Sequence, residues 1–346
     1  MINIQEHLIY KEASIKEAMN QINKLPKTLT LFVINEYKQL IGTLTDGDIR
    51  RGLIEGKKIE DQIINIMKED YFYLYNTINV REIKRIKQLG IKLLPVLDKN
   101  HKIIKIFDLH LLTSILPLEA VIMAGGKGER LKPFTNNIPK PMLKIGSKPI
   151  IEYTVDHLIS YGIDKIYISV NYLKDQIIEH FKDGSKKGIE IEYIEEEKPL
   201  GTAGSLSLIK NTKKDILLTN SDLFTNIDYE NLYLAFYNKK ADLAIASVPY
   251  TINIPYAILE EKENHQVVNF KEKPSNTHYA NAGIYILKKS LIQDIPKNKF
   301  FNVTDLLKDL LNTQKNIIHN PLIGYWIDIG KHEDLNKARE IIKHIT

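Results

Sequence analysis

The chain has 346 residues, and its 48 Lys and Arg against 43 Asp and Glu give a formal net charge of +5. At roughly 150 residues per domain this length predicts two domains, while a charged fraction of 26% and a hydrophobic fraction of 43% exclude wholesale disorder and fibrous repeats. So small a surplus of charge forms no basic stripe, so no nucleic-acid partner is expected; the absence of cysteine excludes a disulfide framework, a zinc-thiolate site and a thiol nucleophile.

The opening residues, MINIQEHLIYKE, show no basic start followed by an apolar run, so no secretory signal is read and a cytoplasmic location is expected. Ser14 to Asn23 and Asn79 to Leu89 read as helices, with Ser14 and Asn79 as N-caps. After them come LFVINEYKQLIG (31–42) and LPVLDKNHKIIK (94–105). Each is a short apolar run, a polar turn and a second apolar run, the pattern of a β-hairpin. Leu31 and Leu94 open the two segments 63 residues apart, which marks an internal repeat of small β-α-β-β units. The longest apolar-leaning stretch, Leu111 to Ala124, is broken by Pro117 and Glu119. It is shorter than the roughly 20 residues a membrane helix needs, so it reads as a junction, and no membrane partner is expected.

From Leu118 onward strands alternate with helices, the signal of an α/β domain with a mostly parallel sheet. Strands are predicted at 120–123, 165–170, 189–194, 215–218, 243–248 and 282–287. Helices are predicted at 150–161, ending at Gly162, and at 173–181, 204–209, 229–239, 303–311 and 332–344. About 228 residues suffice for one sheet covered on both faces.

The stretch GTLTDGDIRR (42–51) places a Gly, a Thr and an Asp three residues later around a tight turn. An exposed carboxylate there accepts from both ribose hydroxyls, the Thr hydroxyl bonds phosphate, and Arg50 and Arg51 add charge pairing. With the repeat, residues 1–116 resemble a tandem pair of CBS domains, the Bateman α+β module. That family's adenosine-nucleotide sites imply Gly42, Thr45 and Asp48 as ligands here. The second copy has Lys105, Asp108 and Leu111 at the matching positions and lacks the ribose carboxylate. Two readings stay open: an adenine-nucleotide sensor, or a scaffold in which TDGD merely caps a helix. CBS pairs commonly associate face to face, so a homo-oligomer is expected.

The stretch AVIMAGGKGERLKPFTNNIPKPMLKI (120–145) runs a strand into Gly125, Gly126 and Gly128, so backbone N–H groups can approach an anion without Cβ obstruction. A P-loop is excluded because Gly128, not Ser or Thr, follows Lys127, and a Rossmann dinucleotide fingerprint because its third glycine and later acid are missing. The remaining pattern, GGxGxRLxPxT followed by PKPM, resembles the sugar-1-phosphate nucleotidyltransferases over residues 119–346. The resemblance implies a Rossmann-like domain in which the phosphate of a sugar 1-phosphate attacks the α-phosphorus of an NTP and pyrophosphate leaves. Positioning and charge neutralisation dominate such chemistry. By the same resemblance the backbone of Gly125, Gly126 and Gly128 holds the triphosphate, Arg130 steadies pyrophosphate, and Lys140 holds the sugar phosphate.

Later motifs extend the resemblance in order. EEKPLGTAGSL (196–206) looks like the nucleobase loop, with Gly201 and Thr202 at the base edge and Glu196 or Glu197 accepting from guanine. Asp222 follows the strand ILLTNS, where the family usually has Gly rather than Ser221 before the acid. Asp328 stands in YWIDIGKHEDL, matching W-x-D-x-G, and the two carboxylates suit Mg2+. FKEKP (270–274) offers Glu272 for sugar hydroxyls and Lys273 for the sugar phosphate, and NAGIYIL (281–287) places Asn281 near the hexose. The ten histidines show no metal-hydrolase spacing. PLGTAG with upstream glutamates resembles the guanylyl-transferring members, so GTP is the expected NTP. CBS domains ahead of the transferase resemble the branch acting on glucosamine 1-phosphate in bacterial legionaminic acid biosynthesis. Mannose- or heptose-1-phosphate guanylyltransferases and thymidylyltransferases are the alternatives within the class. A non-catalytic regulatory subunit is the alternative outside it, although every residue of the glycine loop and the carboxylate pair is present.

Overall fold

The structure, a computed structural model, describes residues 2–25, 28–75 and 79–345. It divides into two compact units, one running to Pro117 and including Ile159–Ile163, the other comprising Leu118–Leu158 and the chain from Asp164 onward.

In the first unit β1 (Leu8–Tyr10), α1 (Ile15–Ile22), β2 (Thr30–Ile34), β3 (Leu40–Thr45) and α2 (Asp46–Ile54) make one copy of the repeat. The second comprises α3 (Val80–Gln88), β4 (Leu93–Leu97) and β5 (Ile103–Asp108). β1 lies parallel to β2, whereas in the second copy a single parallel bridge, Leu74 with Val96, stands in its place. Ser14 closes a capping box with Glu17 at the start of α1, and Asn79 accepts from the amides of Arg81 and Glu82 at the start of α3.

The 63-residue repeat is kept residue for residue in the hairpins. Thr30 pairs with Thr45 as Leu93 pairs with Asp108, and the ladders slip after Val33 and after Val96. Lys38 and His101 both take positive φ, 61° and 64°. Asn35 and Asp98 each accept two backbone amides from their own turn, which is why an Asx residue begins both. Ile15, Ala18 and Ile22 pack on Leu31, Val33, Leu44 and Ile49, and Phe32 and Leu40 join Leu93, Leu97 and Ile106 in a core shared by the two copies.

The second unit begins with β6 (Leu118–Met123), the small hairpin of β7 (Lys144–Ile145) and β8 (Lys148–Pro149), α4 (Ile150–Ser160), β9 (Lys165–Val170), α5 (Lys174–Phe181) and β10 (Glu190–Glu195). It continues through α6 (Gly201–Gly204), β11 (Asp215–Asn220), β12 (Leu223–Thr225), α7 (Tyr229–Asn238), β13 (Leu243–Asn253), β14 (Ile258–Glu261), β15 (Val267–Lys271) and β16 (Ser275–Leu287). It closes with α8 (Val303–Asn312), β17 (Ile317–Pro321), β18 (Trp326–Asp328) and α9 (His332–Ile345). Seven strands form one sheet in the order β10-β9-β6-β11-β16-β13-β17. Only β16 runs against the others, so the sheet is mostly parallel, as expected. Its central strands are buried along nearly their whole length, the reason they read as unbroken apolar runs.

The sequence reading missed β17, the seventh strand of the main sheet, and three further features depart from it. β13 and β16 continue past Val248 and before Ala282 into a two-stranded arm, carrying the β14–β15 hairpin, in which no residue from 249 to 280 is buried. Its first strand and the residue after it do alternate, Tyr250, Ile252 and Ile254 being apolar, but neither face is covered, so the alternation marks no buried face. The helix expected at 204–209 starts at Gly201 and tightens into a 3-10 turn over Ser205–Leu208. β12 and β18 pair antiparallel outside the main sheet, a link between segments a hundred residues apart. Among the described residues no helix is long and apolar enough to cross a membrane.

Candidate active site

The loops leaving the C-terminal ends of β6, β9, β10 and β11 meet at one edge of the sheet, where sheets of this kind build sites. The three glycines after β6 occupy different surroundings. A Cβ on Gly126 would meet nothing within 4 Å, whereas one on Gly125 would stand 3.3 Å from Asn171 Cβ and 3.4 Å from Glu196 Oε1. Gly128 has φ 63°, and a Cβ there would lie 2.8 Å from Lys140 Cβ and 3.0 Å from Thr135 Cγ2. Gly126 thus leaves its backbone bare to solvent, while Gly128 lets the chain fold back tightly on Lys140. Arg130, in the short turn Glu129–Leu131, lays its guanidinium against Gly330, 3.2 Å from where a Cβ would be.

Asp222 immediately precedes β12, and the β12–β18 ladder sets Leu223 opposite Asp328. That pairing brings together two carboxylates far apart in the sequence. Lys140 Nζ forms an ion pair with Asp222 Oδ2, a contact the sequence reading did not foresee. Asp222 Oδ1 is buried and has no hydrogen-bond partner among the described residues. Loss of water around the carboxyl, and then the Asp222 charge, push the Asp328 carboxyl up, partly offset by Lys140 and Arg130; its side chain nonetheless keeps solvent-facing surface. Two mutually repelling carboxylates with a bare buried oxygen fit a hard divalent cation. Among the described residues no group of three or more His, Asp or Glu side chains converges. The donor set therefore suits an ion that draws its other ligands from phosphate oxygens and water, as Mg2+ does.

Between these groups lies a pocket of about 280 Å³ lined by Gly125, Gly126, Lys140, Glu196, Gly201, Thr202 and Asp222, together with Asn220 and Phe300. Glu196 is 9% exposed, and the expectation that it is free to meet a guanine edge needs correction. The Ser169 hydroxyl donates to one carboxylate oxygen and the Leu200 amide, at 2.9 Å, to the other. A strand-end carboxylate that satisfies its own loop is a buttress; Glu197 is exposed. Gly201 has φ 79°, and a Cβ there would approach Phe301 O to 2.7 Å. The Thr202 amide donates to Asn302 Oδ1 at 3.2 Å, and its hydroxyl accepts from the Val303 amide at 3.0 Å, tying this loop to the start of α8. Ser169, Asn171, Asn220 and Phe300 escaped the sequence reading. Only Ser169, a polar residue inside an apolar strand, carried a local signal.

Other expected residues lie elsewhere. Glu272 and Lys273 occupy the exposed turn between β15 and β16 and do not line the pocket. Asn281 Oδ1 accepts from the Gly283 amide at 2.9 Å, and a Cβ on Gly283 would strike Asn220 Nδ2 at 2.6 Å, so this stretch of β16 abuts the pocket wall. In the first unit a pocket of about 870 Å³ is lined by Thr45, Asp46, Gly47, Asp48, Arg50, Lys68 and Tyr71, among others. Asp48 is not the exposed carboxylate expected. It is 4% exposed and accepts from the Thr45 amide, the Thr45 hydroxyl and Arg51, because it is the N3 residue of the capping box that starts α2. Burial alone would raise its carboxyl; the hydrogen bonds outweigh burial and hold it below the usual carboxylate range. Gly42 does not line that pocket, and a Cβ there would meet Met67 Sδ at 2.8 Å and Lys68 O at 2.9 Å. It allows the close bridge between Thr43 and Lys68.

Residues 119–344 match the family described as nucleotidyl transferase, and residues 6–55 match the CBS domain. The D-glycero-alpha-D-manno-heptose 1-phosphate guanylyltransferase of Aneurinibacillus thermoaerophilus is 32% identical over 232 residues, 66% of this chain and 99% of that protein. The bifunctional protein GlmU of Methanococcus maripaludis is 34% identical over 232 residues, 64% of this chain but 53% of its own length. The chain thus spans about half the length of that relative. Among solved structures, HddC from Yersinia pseudotuberculosis aligns with a TM-score of 0.51 at 30% identity, covering 65% of this chain and 99% of the other, and HddC has also been solved with GMP-PN.

Proposed function

The chain belongs to the nucleotidyl transferase family, and from that membership we propose that it transfers a guanylyl group from GTP to a sugar 1-phosphate. The observation that carries the reading is the convergence of Lys140, Asp222 and Asp328 beside the open turn at Gly125 and Gly126. An oxygen of the sugar 1-phosphate attacks the α-phosphorus of GTP, the bond to the bridging oxygen breaks, and pyrophosphate departs with the bonding pair. The amides of Gly125, Gly126 and Gly128 are the donors for the triphosphate. Arg130 meets the charge growing on pyrophosphate, and Lys140 lies where it offsets repulsion between the two anionic reactants. Asp222 and Asp328 are the residues that hold Mg2+, which neutralises phosphate charge when bound. Gly201 and Thr202 face the base. On the sugar side, Glu272 and Lys273 come from the arm and Asn281 from the adjoining stretch of β16.

Guanine is favoured by the PLGTAG loop and by the guanylyltransferase of A. thermoaerophilus, nearly all of which this chain covers. Glucosamine 1-phosphate is the sugar we assign, on the CBS module ahead of the transferase, giving GDP-glucosamine for legionaminic acid synthesis. A heptose 1-phosphate is the second reading, favoured by that same relative and by another from Campylobacter jejuni. The N-terminal unit, residues 1–116, acts as a CBS pair that binds an adenine nucleotide or assembles a homo-oligomer, ahead of a catalytic domain at 119–346. The test is pyrophosphate release with Mg2+, each NTP and a panel of sugar 1-phosphates. Release with GTP and glucosamine 1-phosphate is expected; release with dTTP or UTP but not GTP refutes the guanylyl assignment, and a preference for heptose 1-phosphate refutes the sugar.

A further inference from the structure

Phe300 is 64% exposed at the wall of the 280 Å³ pocket, and it is the only aromatic side chain among the described residues lining it. Its neighbour Phe301 packs against the main core. The backbone of Phe301, next in the chain, is held on both sides. The Phe301 amide donates to Leu200 O at 2.8 Å, and Phe301 O accepts from the amides of Ala203 and Gly204 at 3.0 and 2.9 Å. Gly201 and Gly204 leave no room for a Cβ against Phe301 O and Lys299 O, at 2.7 and 2.8 Å. The ring's mount is thus clamped to the loop whose peptide groups, at Gly201 and Thr202, border the same pocket.

A planar apolar face beside a loop that lines the same pocket, here at Gly201 and Thr202, is a recognition pattern for a nucleobase, with the loop along its edge and the ring covering its face. We propose that Phe300 is the stacking platform for the base of the nucleoside triphosphate. This rests on the nucleotidyltransferase reading and adds to it a residue that no family motif supplied. Every base presents a π-face, so the stack provides affinity while the choice among bases stays with the loop edge. The ring meets no reacting atom and acts through the position of the base.

The experiment measures dissociation constants of the full chain, with Mg2+, for GTP, ATP, UTP, CTP and dTTP and for inorganic triphosphate. It compares the wild type with Phe300→Ala, Phe300→Leu and Phe300→Tyr. Removing one base stack weakens binding by about tenfold or more. The expected result is that loss for the favoured NTP in the Ala and Leu variants and recovery in Tyr. Inorganic triphosphate binding and melting temperature should not change, and KM for the NTP should rise with kcat preserved. Equal NTP affinity in wild type and Phe300→Ala overturns the proposal alone. So does parallel weakening of NTP and inorganic triphosphate, which would mark Phe300 as support for the loop. A wild type that binds none of the five NTPs overturns both this proposal and the proposed function.

Discussion

Replacing Gly126 and Gly128 separately by Ala should give opposite results, although the two stand two residues apart in one loop. At Gly128 the backbone is left-handed, φ 63°, a conformation that costs an L-residue about 1–2 kcal/mol. The new methyl would also press on Lys140 Cβ at 2.8 Å and Thr135 Cγ2 at 3.0 Å; Thr135 is buried, so the strain of overpacking adds about 1–3 kcal/mol. The expected loss is therefore about 2–5 kcal/mol, and at about 2–4 °C per kcal/mol for a unit of this size the melting temperature falls by at least about 4 °C. Turnover falls too, because the displaced stem belongs to Lys140. At Gly126 a Cβ meets nothing and φ is unstrained, so Ala leaves stability unchanged or raises it by up to about 1 kcal/mol. Its methyl would sit where phosphate has to approach, and losing one charge-assisted amide contact, about 1.5–3 kcal/mol, weakens NTP binding about tenfold or more. The chain has a single tryptophan, Trp326 on β18, so its fluorescence reports unfolding of the catalytic unit alone, while equilibrium dialysis reports NTP binding. A Gly128→Ala protein that melts with the wild type, or a Gly126→Ala protein with wild-type NTP affinity, would refute the reasoning.

Asp222→Asn should lower kcat for pyrophosphate release by about 100-fold or more while the Trp326 melting curve stays near that of the wild type; retained turnover would remove Asp222 from the metal site. Glu196→Ala leaves the Ser169 hydroxyl and the buried Leu200 amide without their acceptor. It should cost about 1–3 kcal/mol and raise KM for the NTP more than it lowers kcat, and an unchanged KM would show that the 196–202 loop does not depend on this buttress. The Asp48 carboxyl is held below its ordinary value, so its contribution to stability is full above the unfolded value of about 3.9 and is lost as pH falls through the lower folded value. Denaturation of the N-terminal unit between about pH 3 and about pH 7 should therefore show an acid limb that Asp48→Asn flattens, with Thr45→Ala costing about 1 kcal/mol at neutral pH; identical limbs in wild type and Asp48→Asn would discount the cap.

The elements built on local rules were readable from the chain. α1 and α3 begin at the caps chosen for them, β9 spans Lys165–Val170 as expected, and the hairpin repeat holds to the residue because each turn is closed by its own Asn35 or Asp98. The arm formed by β13 and β16 was only half seen, since its outer part buries nothing and so has no core face for its pattern to mark. Two readings of Asp48 stood open because a carboxylate three residues after a Thr serves a ribose or a helix N-terminus equally well in one dimension, and only its expected exposure was wrong. Only the packed first unit shows that it serves the helix.

The glycine loop could be read as a phosphate cradle from the missing side chains of neighbouring residues, and the family resemblance singled out Asp222 and Asp328 as the candidate metal ligands. Their meeting could not. Asp222 reaches Asp328 through the β12–β18 ladder, Lys140 reaches Asp222 across the sheet edge, and Phe300 is brought to the pocket because its neighbour Phe301 makes three backbone hydrogen bonds to Leu200, Ala203 and Gly204. Contacts between segments so distant in the chain depend on which strands become neighbours when a whole sheet is buried, and burial is a property of the folded unit that no local stretch of sequence encodes.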